Sequence, residues 1–325
     1  MRVVSGMRPT GPLHLGHYVG AIKNWISLQE EHECFFFSAD LHALTSHYAS
    51  PGDIQKIAID MLRDWLACGI DENKATLFCQ SAIPQHTELF TFFSMITPLG
   101  WLERNPTFKE QRNEIKDKDL AQLGFFSYPV MQTADIALYK GNAVPVGQDQ
   151  IPHVELSREI VRRFNHFFGD IFPEPQTLLT NTPKLAGTDG RKMSKSYNNS
   201  IYLNDSKEVV EKKIRSSVTD TQRVKRTDPG RPEHCSFYPL HTIFSSEDTQ
   251  KEVQAACKNA SIGCVDCKKM LLPNLYHTLE PIWEKQNKLE QKPDYLRNIW
   301  ETGKTKASSI AQNTLLQVKE ALKLI

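Results

Sequence analysis

Two histidines three residues apart, and far downstream two lysines three residues apart, are the residues of this 325-residue chain best suited to handling phosphate. The histidines stand in Pro9-Thr10-Gly11-Pro12-Leu13-His14-Leu15-Gly16-His17. Gly11 permits a turn, and Gly16 removes a side chain where backbone would meet a ligand. The stretch follows a strand and opens a helix, whose free N–H groups offer partial positive charge to an anion. His14 and His17 can then donate to phosphate oxygens as charge builds on them. The lysines stand in Gly190-Arg191-Lys192-Met193-Ser194-Lys195-Ser196, a polar loop in which Lys192 and Lys195 can act as point charges on a triphosphate. Either string alone also fits a turn with two surface histidines, or a basic surface loop. Together, in this order and about 175 residues apart, they are far more specific.

A second constellation is Tyr128, Gln132 and Asp135, at i, i+4 and i+7. On a helix beyond Pro129 they share one face and present a phenol, an amide and a carboxylate to a small polar molecule. The same carboxylate would equally cap or salt-bridge a neighbouring helix. A third is Cys235, Cys257, Cys264 and Cys267, four of the seven cysteines, within 33 residues. Four thiolates ending in Cys-x2-Cys make a full ligand set for zinc or for a four-iron, four-sulfur cluster, and spacing alone does not separate the two. The other three, Cys34, Cys68 and Cys79, sit in apolar runs and read as small core residues.

The elements that must hold these residues are legible in the first half. Arg2–Ser5, Cys34–Ser38 and Thr76–Cys79 read as strands. Between them, Gly16–Gln29 has helical spacing, and Ser50-Pro51 with Asp53 starts a helix that stops at Gly69. Strand–helix alternation predicts a parallel sheet covered by helices, with ligands at the carboxyl ends of the strands. After about Ser206 the strand signals fade into polar helical segments, ending in a stripe of Ile310, Thr314, Leu315, Val318 and Leu322. Formal net charge is only +1, yet Lys184–Arg231 carries twelve Lys/Arg against six Asp/Glu, which suits phosphate or RNA as well as a solvated basic surface. The N-terminus lacks an apolar signal core, and no apolar run approaches the roughly 18 residues that span a membrane. An odd cysteine count without secretory context fits a reducing cytoplasm.

The two phosphate motifs resemble the HIGH and KMSKS signatures of class I aminoacyl-tRNA synthetases. The stretches SGMRPTGPLHLGHYVGAI, YPVMQTADIALY, VPVGQDQIPHVELSREIVRRFN and GRKMSKS resemble bacterial tryptophanyl-tRNA synthetases, and the likeness runs across nearly the whole chain. It implies an α/β fold, with a Rossmann-type parallel-sheet catalytic domain in 1–205 and an all-α tRNA anticodon-recognition domain in 206–325. It implies activation of L-tryptophan by ATP with Mg²⁺, then transfer to tRNA(Trp), in a cytoplasmic homodimer. ATP contacts are expected from Arg8, Pro9, Thr10, Gly16, His17, Gly147, Gln148, Asp149, Leu185, Lys192, Met193, Ser194, Lys195 and Ser196. His14, His17, Lys192 and Lys195 are the expected catalytic residues. They would orient ATP and neutralise charge on a five-coordinate phosphorus, none of them as a general base.

For tryptophan, Asp135 matches the acceptor of the indole N–H, and Tyr128 and Gln132 match groups near the α-ammonium. Ser5, His42 and Gln150 fit a supporting polar shell, with Val4, Val144 and Val146 as apolar walls. The cysteines match a subset of the family that carries a four-iron, four-sulfur cluster, with zinc the alternative. One departure stands out: many tryptophanyl enzymes have Met where this chain has Gln132, and tyrosyl enzymes share the Tyr-x3-Gln-x2-Asp spacing. A carboxylate also accepts a phenol O–H, so Asp135 alone does not choose tryptophan over tyrosine. A tyrosyl-tRNA synthetase, a nucleotidyltransferase with the same phosphate motif and a non-catalytic RNA-binding paralogue are the competing readings.

Overall fold

Among the described residues five short strands pair, all in parallel, in the order β3-β2-β1-β4-β5. They are β1 (Arg2–Met7), β2 (Glu33–Ser38), β3 (Ala75–Cys79), β4 (Ala143–Val146) and β5 (Gln176–Leu179). The structure, a computed structural model, describes residues 1–105, 121–179 and 185–325. The register sets Val4 beside Phe35 and Phe35 beside Thr76. Phe35 and Phe36 alternate in direction along β2 and both are fully buried, the signature of a parallel sheet covered on two faces. The chain builds outward from β1 through β2 to β3, then returns to place β4 on the other side of β1. The switch point of this Rossmann-type sheet therefore lies between β1 and β4, where ligands bind beyond the strand ends.

By internal contact the chain divides into two units. The sheet unit holds Met1–Gly11, Lys23–Asn181 and Lys292–Ile325. Within it the helix Ile54–Cys68 starts where Asp53 accepts from the Lys56 N–H and ends at Gly69, whose φ of 119° is left-handed. The helix Leu123–Leu138 carries Pro129 inside it, so the helix begins well before the proline rather than beyond it. The final helix, Pro293–Ala321, turns Ala307, Ala311, Leu315 and Val318 into the same core as Phe35 and Phe78. Gly303 makes the approach possible, since a Cβ there would stand 1.7 Å from the carbonyl oxygen of Leu77 on β3. The C-terminal apolar stripe expected from sequence is real, and it serves the sheet.

The second unit holds Pro12–Ile22 and Thr182–Gln291. Its helices include Lys207–Ser216, Tyr238–Phe244, Glu247–Lys258 and Cys264–Glu290. Ser206 and Ser246 cap two of them by accepting from backbone N–H groups. Lys268 is buried and donates to the carbonyl of Arg215 at the end of Lys207–Ser216, a charge-assisted cap of a helix C-terminus. Trp283 donates its indole N–H to the Leu203 carbonyl, fixing the long helix to the segment that pairs with the first phosphate motif. Among the described residues no helix is long and apolar enough to cross a membrane.

Candidate active site

The two phosphate motifs meet within the second unit. Leu203 donates its N–H to the Leu13 carbonyl at 2.8 Å, and Leu15 donates to the Ile201 carbonyl at 2.9 Å. His14 and Tyr202 thereby form an antiparallel bridge, which joins the histidines to the chain just beyond Lys192–Ser196. The His14 backbone N–H donates to His17 Nδ1 at 3.1 Å, so a neutral His17 carries its proton on Nε2. The two rings lie 3.7 Å apart between centroids. Burial, reinforced by the positive charge of Lys195, lowers His14 to a pKa of about 4. Burial, then His14 and Lys195, holds His17 well below the usual imidazole range. Both are therefore neutral near pH 7 and offer a phosphate an N–H group rather than a full positive charge.

The lysine loop is a tight hairpin built around a side chain that sequence reading passed over. Gly187 donates to the Arg191 carbonyl at 2.7 Å, Met193 donates to the Leu185 carbonyl at 2.9 Å, and Ala186 bridges Lys192. Asn199, 1% exposed, lies under this hairpin. Its Oδ1 accepts from the Ser194 N–H at 2.8 Å, while its Nδ2 donates to the Lys192 carbonyl at 3.1 Å and to Asp189 Oδ1 at 2.7 Å. Room for it comes from Gly187, where a Cβ would stand 2.2 Å from Asn199 Cγ. Leu185 and Met193 are buried, while Lys192 and Ser196 are exposed and Ser194 and Lys195 half-buried. The apolar members anchor the loop and the polar ones remain accessible.

In the sheet unit, Arg8–Thr10 follow β1 and Gly147–Gln150 follow β4, the two strand ends that flank the switch point. Asp135, on the helix Leu123–Leu138 of the same unit, is 2% exposed and has three donors. Gln80 Nε2 and His86 Nδ1 reach Oδ1 at 2.7 Å each, and His42 Nε2 reaches Oδ2 at 2.8 Å. His86 in turn meets the Tyr139 hydroxyl through Nε2 at 2.7 Å. Burial raises the Asp135 pKa, but the His42 imidazole and hydrogen bonds from His42 and His86 outweigh it, and the carboxyl stays well below its usual range. A depressed pKa contributes stability that is complete above the unfolded value of about 3.9 and is lost as pH falls through the folded one. Asp135 is thus an ionised, acceptor-only group at any working pH.

Tyr128 is buried and shares the helix with Gln132, which is half-buried. Val4 belongs to the main core, whereas Val144 packs with Ile136 and Val154, with Val146 against them, and Ser5 is half-buried on β1. Sequence reading missed Gln80, His86, Tyr139 and Asn199. Gln80 and His86 come from a short segment just after β3, and nothing local marks them as partners of a residue 55 and 49 positions away.

The four late cysteines are all in the second unit, within electrostatic reach of one another. Burial pushes the Cys267 thiol up to about 12, and Cys235, Cys257 and Cys264 add to the shift. Arg223 Nη1 lies 3.9 Å from Cys264 Sγ and 4.0 Å from Cys257 Sγ. Among the described residues no group of three or more His, Cys, Asp or Glu side chains stands at metal-holding distances. Four thiol sulfurs are soft donors by type, but in this structure they do not stand at distances that would hold a metal ion.

Residues 1–280 match the family model of tRNA synthetases class I (W and Y). The chain belongs to this class I tRNA synthetase family. The tryptophan–tRNA ligase of Thermotoga maritima is 50% identical over 327 residues, covering 100% of both chains. That of Aquifex aeolicus is 43% identical over 394 residues, again covering 100% of both. The crystal structure of the Campylobacter jejuni tryptophanyl-tRNA synthetase, complexed with ADP and tryptophan, matches with a TM-score of 0.88 at 36% identity, covering 99% of this chain and 100% of that one.

Proposed function

We propose that the chain is a tryptophan–tRNA ligase that forms tryptophanyl-adenylate from L-tryptophan and ATP and then charges tRNA(Trp). Full-length likeness to the ligases of Thermotoga maritima and Aquifex aeolicus carries this reading. In the first step a tryptophan carboxylate oxygen attacks the α-phosphorus of ATP and pyrophosphate leaves. His14, His17, Lys192 and Lys195 meet the charge that develops on the phosphate oxygens. Mg²⁺ would neutralise phosphate charge alongside them. In the second step a terminal ribose hydroxyl of the tRNA takes the acyl group and AMP leaves. Arg8–Thr10, Gly16, Gly147–Asp149, Leu185, Met193, Ser194 and Ser196 complete the ATP contacts. Asp135 accepts from the indole N–H, and Tyr128 with Gln132 borders the α-ammonium. Residues 1–205 carry activation, and of 206–325 the helices from Lys207 to Glu290 supply anticodon recognition, the helix Pro293–Ala321 being packed on the sheet. A cytoplasmic homodimer is part of this reading.

An ATP–pyrophosphate exchange assay without tRNA, across a panel of amino acids, tests it. Exchange driven by tryptophan is expected. Exchange driven by tyrosine alone would replace the reading with the tyrosyl one. Asn199→Ala should lower exchange turnover about tenfold, the scale of a loop losing three hydrogen bonds at roughly 0.5–1.5 kcal/mol each, partly recovered by water. Tryptophan KM should hold, and unchanged turnover would show that Asn199 does not set the lysine loop.

The cysteines are proposed to hold a four-iron, four-sulfur cluster in a structural role, since adenylation needs no electron. Protein purified without oxygen is then expected to be brown, with about four irons and four acid-labile sulfides per chain. Cys264→Ser should bleach it and reduce tRNA charging more than tRNA-independent exchange. Colourless protein with one zinc would substitute zinc in the same role. Metal-free protein with full charging activity would make the cysteines bystanders.

A further inference from the structure

Sequence reading gave no role to His153, the third residue of the helix Ile151–Phe168, yet it is 1% exposed. Each of its ring nitrogens meets one residue of the proposed tryptophan site. Nε2 lies 2.8 Å from Tyr128 Oη, and Nδ1 lies 2.9 Å from Gln150 Oε1.

The protons can be placed from the far end of this chain of contacts. Gln150 Nε2 lies 3.2 Å from Asp149 Oδ2, and a carboxylate only accepts. The amide therefore turns its oxygen, also acceptor-only, toward the imidazole, and His153 Nδ1 carries the proton. Burial lowers the His153 pKa to about 4, with Asp149 opposing the shift and His42 adding to it, so the ring is neutral near pH 7. Nε2 is then a lone pair, and the Tyr128 hydroxyl must spend its one proton on it. Towards any third group, Tyr128 Oη and Gln150 Oε1 are acceptors.

We infer that His153 is a positioning residue for the α-ammonium of tryptophan, holding Tyr128 and Gln150 in the acceptor state that an N–H donor requires. The inference rests on the tryptophan reading above and adds to it the group that sets the polarity of the ammonium end. A ligand with the same indole and carboxylate but no amine gains nothing from this arrangement.

The test compares L-tryptophan with indole-3-propionate, which lacks only the amine, by calorimetric titration. His153→Phe should weaken tryptophan binding by about 10- to 100-fold, as expected when a site built to pair a polar group loses its pairing. Indole-3-propionate binding and the ATP KM should change by less than about twofold, within the range of substitutions that touch no partner. Combining His153→Phe with Tyr128→Phe should cost little more than either alone, because the two act as one unit. Equal losses for both ligands, or no loss for tryptophan, would overturn the inference. Should His153→Phe fail to fold, ¹⁵N NMR of the wild-type ring decides instead. A neutral, Nδ1-protonated imidazole is expected, and an Nε2-protonated or cationic ring overturns the inference. Wild-type protein with no tryptophan-dependent exchange would sink the ligase reading whatever the ring shows. Normal exchange with equal losses for both ligands would sink only the role of His153.

Discussion

Lys195→Ala is expected to slow adenylate formation by about 10²–10³-fold while leaving tryptophan affinity nearly unchanged, the scale of losing one transition-state donor. His17→Ala should behave alike. The reason is that neither side chain builds the core: Lys195 is half-buried on the loop, and His17 is held by a backbone N–H at its Nδ1 with its other nitrogen protonated. Lys195 is also one of the two causes that depress His14 and one of three for His17. Its removal should raise both imidazole pKa values, though burial, the larger cause, persists. Pre-steady-state measurement of adenylate and direct tryptophan titration separate the two effects. Equal losses in rate and affinity would mean that these residues shape the amino-acid site.

Asp135→Ala should raise the tryptophan requirement by about 10²-fold or more, with little effect on that for ATP. A buried acceptor matched to one N–H discriminates far more strongly than an apolar wall can. The same change strands Gln80 Nε2, His86 Nδ1 and His42 Nε2. Each buried donor left unpaired costs about 1–3 kcal/mol, so the melting temperature should fall as well. Asp135→Asn isolates the two consequences, because it keeps the volume and removes the charge. Normal tryptophan binding together with new tyrosine activation in either variant would remove Asp135 from the indole.

The parts of this molecule that sequence made legible are those whose signal is local. Cys34–Phe37 and Thr76–Phe78 are apolar runs that only a covered strand accommodates, and β2 and β3 lie on them. The strands β4 and β5 span four residues each, with Pro145 inside one and half-exposed side chains along the other, too short to register as runs. The helix around Pro129 was expected to start after the proline. It starts at Leu123 because buried packing of Phe125, Tyr128 and Val130 outweighs the one backbone hydrogen bond that proline forfeits. The phosphate motifs were legible for their residue types, but the pairing of Leu13 with Leu203 is not encoded near either. The support of Asp135 was invisible for the same reason: its three donors arrive from three elements, and histidine and glutamine are unremarkable one at a time. Long-range polar networks are written in the fold rather than in spacing.

Gly303 against Leu77 bears on how the chain is made. β3 forms an edge of the sheet, and the helix that lies on it begins only at Pro293. Ribosomes emit roughly 5–20 residues per second, so β3 emerges some ten to forty-five seconds before the residue that packs against it. Through that interval a five-residue apolar strand is presented without its cover, the circumstance in which nascent chains pair with one another. Protection of the newborn strand is thus deferred until the helix Pro293–Ala321 has been made, and the burden in the meantime falls on holding factors around the ribosome.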